Sequence, residues 1–188
     1  MPAPQHVKGV LFVDYVRMIR GRKDIDWAQH LDPGALSWVH RPIDLAGWYP
    51  MPVFEVLGNA ILEVFGIGEL ELARLWGHQS VELLIENNPL LFAPGNPVET
   101  VNRVRVLRST YFDFDALTFA EVLDDELMLV VRYGMGARAE EAATYQTLGF
   151  FEALLQRAGA TDVVATVVER SWAGEGRTAI TYRWTPPG

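Results

Sequence analysis

Leu117-Thr118-Phe119-Ala120-Glu121-Val122-Leu123, then Asp124-Asp125-Glu126, then Leu127-Met128-Leu129-Val130-Val131-Arg132-Tyr133: across this stretch the hydrophobic period changes. Upstream, apolar residues recur every three or four positions. Here they form two β-prone runs on either side of an acidic turn, the pattern of an antiparallel hairpin. Downstream the helical period returns from about Arg138 to Ala158, with Ala142, Tyr145, Leu148, Phe151, Ala153, Leu154 and Leu155 as its apolar residues and Gly159 where a C-cap belongs. A second hairpin closes the chain. Val163 to Arg170 and Arg177 to Trp184 flank Ala173-Gly174-Glu175-Gly176, and Thr178, Ile180, Tyr182 and Trp184 share one face of the last strand.

Toward the N-terminus the sequence predicts helices. Val10, Leu11, Val13, Tyr15 and Met18 form one that Gly21 ends, and Asp24 to Leu31 reads as a short second, capped by Asp24 and closed by the turn signal Asp32-Pro33-Gly34. From Met51 to Phe65 only Glu55, Asn59 and Glu63 interrupt an apolar surface, so this helix is expected to be nearly surrounded. Gly66-Ile67-Gly68 punctuates. Glu69 to Glu86 reads as a helix or a broken pair, with Gly77 the break, and Pro97 to Ser109 as a helix that starts at an Asn96 cap. Residues 1–8 read as a flexible leader with a solvated His6. Segregated helices and hairpins make the fold α+β: an N-terminal helical layer followed by two antiparallel hairpins, about four strands, separated by a long helix. No repeat or linker divides the chain, so one domain is expected over residues 1–188.

Composition narrows the function. The 188 residues contain no Cys and carry a formal charge of −8, which excludes disulfides, thiolate nucleophiles, iron–sulfur clusters and cysteine-ligated zinc. At 49% hydrophobic and 21% charged the chain is globular. The apolar run Val10-Leu11-Phe12-Val13 is broken by Asp14 and lacks a signal-peptide cleavage pattern, and no apolar stretch approaches the roughly 20 residues of a membrane helix. A cytoplasmic protein without a membrane span is expected. Only Arg17, Arg20, Arg22 and Lys23 cluster positive charge, whereas residues 24–100 carry a net −9; a nucleic-acid partner is not expected.

The candidate chemistry is sparse. His78 and Glu82 are four apart and share a helical face, a spacing suited to a proton-transfer pair or half a metal site. No second ligand pair matches them, so no metal site is expected. His30 and His40 flank a turn-rich segment that could bring them together. Ser37, Ser80, Ser109 and Ser171 lack a nucleophile elbow, Gly66-x-Gly68 is too short for a dinucleotide loop, and Asp124-Asp125-Glu126 is a solvated turn. The aromatics Trp38, Trp48, Tyr49, Phe54, Phe65 and Trp76 read as core or as the lining of an apolar pocket. Tyr133 and Arg138, at the sheet-to-helix junction, are the candidate polar contacts of a ligand, and Trp76 and His78 are further ligand-binding candidates; no residue is assigned a catalytic role.

Val7-Lys8-Gly9-Val10-Leu11-Phe12, the Trp48-Tyr49-Pro50 entry to an apolar helix, Tyr145-x-x-x-Gly149 in a helix ending Arg157-Ala158-Gly159-Ala160, and the closing hairpin resemble a bacterial family of uncharacterised paralogues. Through it the chain resembles haem nitric-oxide-binding domains, four-vinyl-reductase-type domains and the small TRAPP vesicle-tethering subunits. The resemblance implies an α+β binding module, one that holds a small apolar ligand or a protein partner in bacterial signalling, as a homodimer. It also implies that haem members carry a proximal His on the helix before the first hairpin, and Pro97 to Ser109 has none. Their Tyr-x-Ser-x-Arg motif becomes Tyr133-Gly134-Met135-Gly136-Ala137-Arg138, with Met at the Ser position and Arg displaced by one. No cofactor is therefore expected, haem included. The alternatives are a haem gas sensor with another His ligand, such as His78, and a purely structural interaction subunit of the TRAPP type.

Overall fold

The computed structural model describes residues 4–64 and 70–188. It begins with strand β1, His6–Lys8, paired antiparallel with β2, Trp48–Pro50, in the register Val7↔Tyr49. The expected flexible leader is thus an element for these three residues. Val7 is fully buried, Lys8 N–H donates to the Tyr111 carbonyl at 2.8 Å, and His6, expected to be solvated, holds Asp113 with Nδ1 2.6 Å from Oδ2. Three-residue strands are too short to display a period, which is why sequence patterning passes over both.

Helix α1, Gly9–Gly21, follows directly. Gly9 is required there, because a Cβ would run into the Asp44 carbonyl. Residues 24–40 depart from expectation. Asp24 is not a cap but pairs with Arg22 at 2.7 Å; the expected helix shrinks to one 3₁₀ turn, Trp27–Gln29. Asp32-Pro33-Gly34 does not close a helix. It opens α2, Pro33–His40, with Asp32 Oδ1 accepting from the N–H groups of Gly34 (2.7 Å) and Ala35 (3.0 Å) and Pro33 in the first turn. Helix α3, Met51–Val64, buries Met51, Phe54, Leu57, Gly58, Ala60, Ile61 and Leu62, but its wet side is wider than the expected stripe, since Val56 is exposed as well. Phe65 to Glu69, with the Gly66-Ile67-Gly68 punctuation, lie outside the described residues.

Helix α4, Leu70–Asn87, is continuous through Gly77. Helix α5, Pro97–Leu107, starts as predicted at Asn96, whose Oδ1 accepts from Glu99 N–H at 2.9 Å. Strands β3, Leu117–Val122, and β4, Glu126–Val131, form the first hairpin, α6 spans Ala137–Arg157, and β5, Thr161–Glu169, pairs with β6, Thr178–Thr185. The four strands make one antiparallel sheet in the order β3-β4-β6-β5, with Leu129 opposite Ile180 and Leu127 opposite Tyr182. Mixed helix and antiparallel strand, with the long helix between two hairpins, is the expected α+β arrangement.

The contacts sort the chain into two compact units, Met1–Glu69 with Ser109–Phe114, and Leu70–Arg108 with Asp115–Gly188. The first has an aromatic core: Phe12 stacks on Tyr49 with centroids 4.5 Å apart, and Tyr15 on Phe54 at 4.2 Å. The second is centred on Leu127, Leu129, Ile180 and Tyr182 of the sheet and Phe151, Leu154 and Leu155 of α6, each at most 1% exposed. Fully burying side chains of this size stabilises by about 2 kcal/mol apiece.

Candidate functional site

Tyr133, Arg138, Trp76 and His78, the candidate ligand contacts read from the sequence, all lie in the second unit, so its helix pair sets the site. On α4, Arg74, Gly77 and His78 follow one another at helical spacing along one face; on α6, Gly149 and Glu152 do the same. A Cβ at Gly77 would collide with the Gln146 carbonyl, and one at Gly149 with the Arg74 carbonyl. The two backbones therefore touch. Arg74 and His78 lie on either side of Gly77 and both reach Glu152.

Glu152 is buried, its side chain only 4% exposed. A buried carboxylate needs its charge answered, and Arg74 answers it with two parallel bonds, Nε to Oε2 at 2.7 Å and Nη2 to Oε1 at 2.6 Å. This fork geometry is the strongest form of the pair. Hydrogen bonding to Glu152 raises the Arg74 pKa above its ordinary value. His78 Nε2 lies 3.2 Å from Glu152 Oε2, so the carboxylate holds an imidazole as well as a guanidinium, while the histidine keeps about a third of its side chain in solvent.

A turn and a half earlier on α6, two tyrosines from the sheet side meet one threonine. Thr147 Oγ1 donates to the Ala143 carbonyl at 2.8 Å. Having spent its only proton, it accepts from the Tyr133 hydroxyl at 2.6 Å. Tyr182 Oη donates to the Thr147 carbonyl at 3.2 Å. Burial pushes both phenols above their ordinary pKa. At the start of the helix the buried Glu140 accepts from the backbone N–H groups of Tyr133 and Met135, both at 3.0 Å. The glycine-bounded turn between β4 and α6 is thus closed on the chain's own carboxylate.

The predicted residues therefore part company. His78 is in the cluster, but its partner is Glu152 and not Glu82, which pairs with Arg157 at 3.0 Å. Tyr133 is buried and engaged by Thr147 and Glu140. Arg138 is exposed, and Trp76 is half-buried on α4. His30 turns to Glu63, with Nδ1 3.7 Å from Oε1, and His40 is exposed. Among the described residues no group of three or more His, Asp or Glu is placed to hold a metal ion. Arg74, Glu140, Thr147 and Glu152 escape a reading of the sequence. The available signal is Glu152 itself, a charge inside the apolar run Phe150 to Leu155.

No protein-family model matches the chain and no curated protein matches it. Solved structures do. An H-NOX protein from S. oneidensis in its Fe(II)NO ligation state aligns over 95% of this chain and 99% of its own, with 8% identity and a TM-score of 0.67. A mutant Fe(II) unliganded H-NOX protein from K. algicida covers 95% and 96% at 12% identity and 0.64, and a point mutant of T. tengcongensis H-NOX 96% and 98% at 17% and 0.60. The fold is that of the haem nitric-oxide-binding domains the sequence resembles.

These matches correct the expectation that no cofactor, haem included, belongs with this chain: structures described by their iron ligation, and in one case by haem distortion, share its fold. The side chains by which the resemblance would hold haem do not fit it here. The inward residues of α5 are Pro97, Thr100, Val101 and Val104, none an iron ligand. The Tyr133 hydroxyl is committed to Thr147. Arg138, one place beyond the motif, is exposed.

Proposed function

We propose that the chain is a non-catalytic sensor domain that binds a small ligand, with haem the first group to test. The observation that carries the proposal is the match of nearly the whole chain to whole H-NOX domains at TM-scores of 0.60, 0.64 and 0.67. Two features support the absence of catalysis. The buried carboxylates Glu140 and Glu152 each have both oxygens engaged by internal donors, and the buried phenols are hydrogen-bonded to Thr147. Groups so engaged hold structure and are poorly placed to exchange protons with a substrate. With α5 lacking a ligand, iron would have to be met elsewhere. His78, partly exposed and already oriented by a carboxylate, has the environment of a metal-binding histidine.

The test is a haemin titration of the purified chain followed by absorption. An equimolar Soret band identifies haem as the group, and its displacement in His78→Ala assigns the ligand to α4. If no band forms, native mass spectrometry of freshly purified protein decides: a co-purifying small molecule keeps the sensor reading with another ligand, and a bare chain rejects it.

A further inference from the structure

We infer that β5 is a self-association edge, through which two copies of this chain join their sheets antiparallel about a twofold axis at Thr166. β5 is an outer strand of the order β3-β4-β6-β5, and among the described residues its only strand partner is β6. The other side of its backbone offers N–H and C=O groups, a template for strand addition.

The two outer strands of the sheet differ. β3 is six residues long, is interrupted by an irregularity between Phe119 and Glu121, and ends toward the acidic turn, the usual ways of blunting an edge. β5 is nine residues long and carries no charge from Val163 to Val168. Its irregularities against β6 fall at the ends, between Thr161 and Val164 and between Val167 and Glu169, leaving Val164–Val167 regular. From Asp162 onward exposure alternates strictly along it. Val164 and Val168 are 62% and 42% exposed, Thr166 between them is exposed, and Val163, Ala165 and Val167 face inward.

That alternation fixes the register. Directly opposed residues of an antiparallel pair share a face, so the twofold axis must pass through a residue and not between two; otherwise exposed Val164 would meet inward Val167. An axis at Thr166 sets Ala165 opposite Val167 of the second copy, twice, and Thr166 opposite itself, all within the regular segment Val164–Val167. In that register like-facing, uncharged residues meet along the regular segment, with the exposed Val164 of each copy on the same face as the Thr166 pair. A single strand edge buries less than the roughly 1,000 Å² typical of a stable interface, so the dimer is concentration-dependent.

The test uses the full chain. Sedimentation should show a dimer that dissociates on dilution, and Val164→Lys should raise its Kd about tenfold or more, the equivalent of about 1.4 kcal/mol, with thermal unfolding unchanged. Because the chain has no cysteine, Thr166→Cys gives a clean readout: mild oxidation should cross-link it into a disulfide dimer, whereas Thr118→Cys, exposed on β3, should stay monomeric. A wild-type chain that remains monomeric at every concentration overturns the inference. So does a dimer indifferent to Val164→Lys, or equal cross-linking at the two edges.

Discussion

Glu152 shows what one residue decides. Its carboxylate sits where the backbones of α4 and α6 touch, and Arg74 and His78 converge on it from 78 and 74 positions away in sequence. Breaking a buried pair from one side costs more than the pair contributes, because the remaining charge is stranded. We expect Glu152→Ala and Arg74→Ala each to lose about 2–3 kcal/mol, the partial exposure of Arg74 keeping the figure low. The double variant should lose clearly less than the sum, since its members share one interaction. Urea unfolding of the four proteins measures this. Additive losses would mean the fork contributes nothing specific. None of this is legible in the sequence: a lone Glu in an apolar run announces that a partner exists without saying where.

At the scale of elements, Gly77 carries the sharper lesson. In sequence a mid-helix glycine reads as a break, and here the helix runs through it because removing the Cβ lets α6 approach. Gly77→Ala gains about 1 kcal/mol of helix propensity and forces a methyl group into the Gln146 carbonyl. The net expectation is a loss of about 2 kcal/mol. At Gly21, the last residue of α1, an added Cβ meets nothing within 4 Å, and the same substitution should gain a few tenths to about 1 kcal/mol. Opposite shifts of the unfolding midpoint confirm the distinction; a stabilising Gly77→Ala refutes the contact. The hairpins and α6 are legible because their periods are long and their ends are marked, Gly159 taking a φ of +101° just past α6. Residues 24–40 mislead for a physical reason. Asp-Pro is at once a turn signal and an N-cap followed by a first-turn proline, and only the apolar Ala35 and Val39, buried four apart, distinguish the two.

Across the whole molecule, the sequence reading takes residues 1–188 as one domain, and the contacts divide them into two compact units, the first of which includes one short segment from later in the chain. That segment, Ser109–Phe114, belongs with the N-terminal unit. Tyr111 accepts from Lys8, Phe112 bridges to Val7, and Asp113 holds His6. The buried side chains at the centre of the other unit, from Leu127 to Tyr182, all lie within residues 70–188. A unit that keeps its own core can fold alone, whereas one deprived of a paired segment exposes the backbone and side chains that the segment covered. A fragment of residues 70–188 should therefore unfold cooperatively in urea, with a smaller m-value than the full chain in proportion to the surface it exposes. A fragment of residues 1–69, lacking Tyr111 and Phe112, should show no cooperative transition until a peptide spanning 109–114 is supplied in excess, when mass action should restore one. Circular dichroism at far-ultraviolet wavelengths reads both. If the 70–188 fragment melts without cooperativity, the division into units is one of contacts alone, and the chain folds only as a whole.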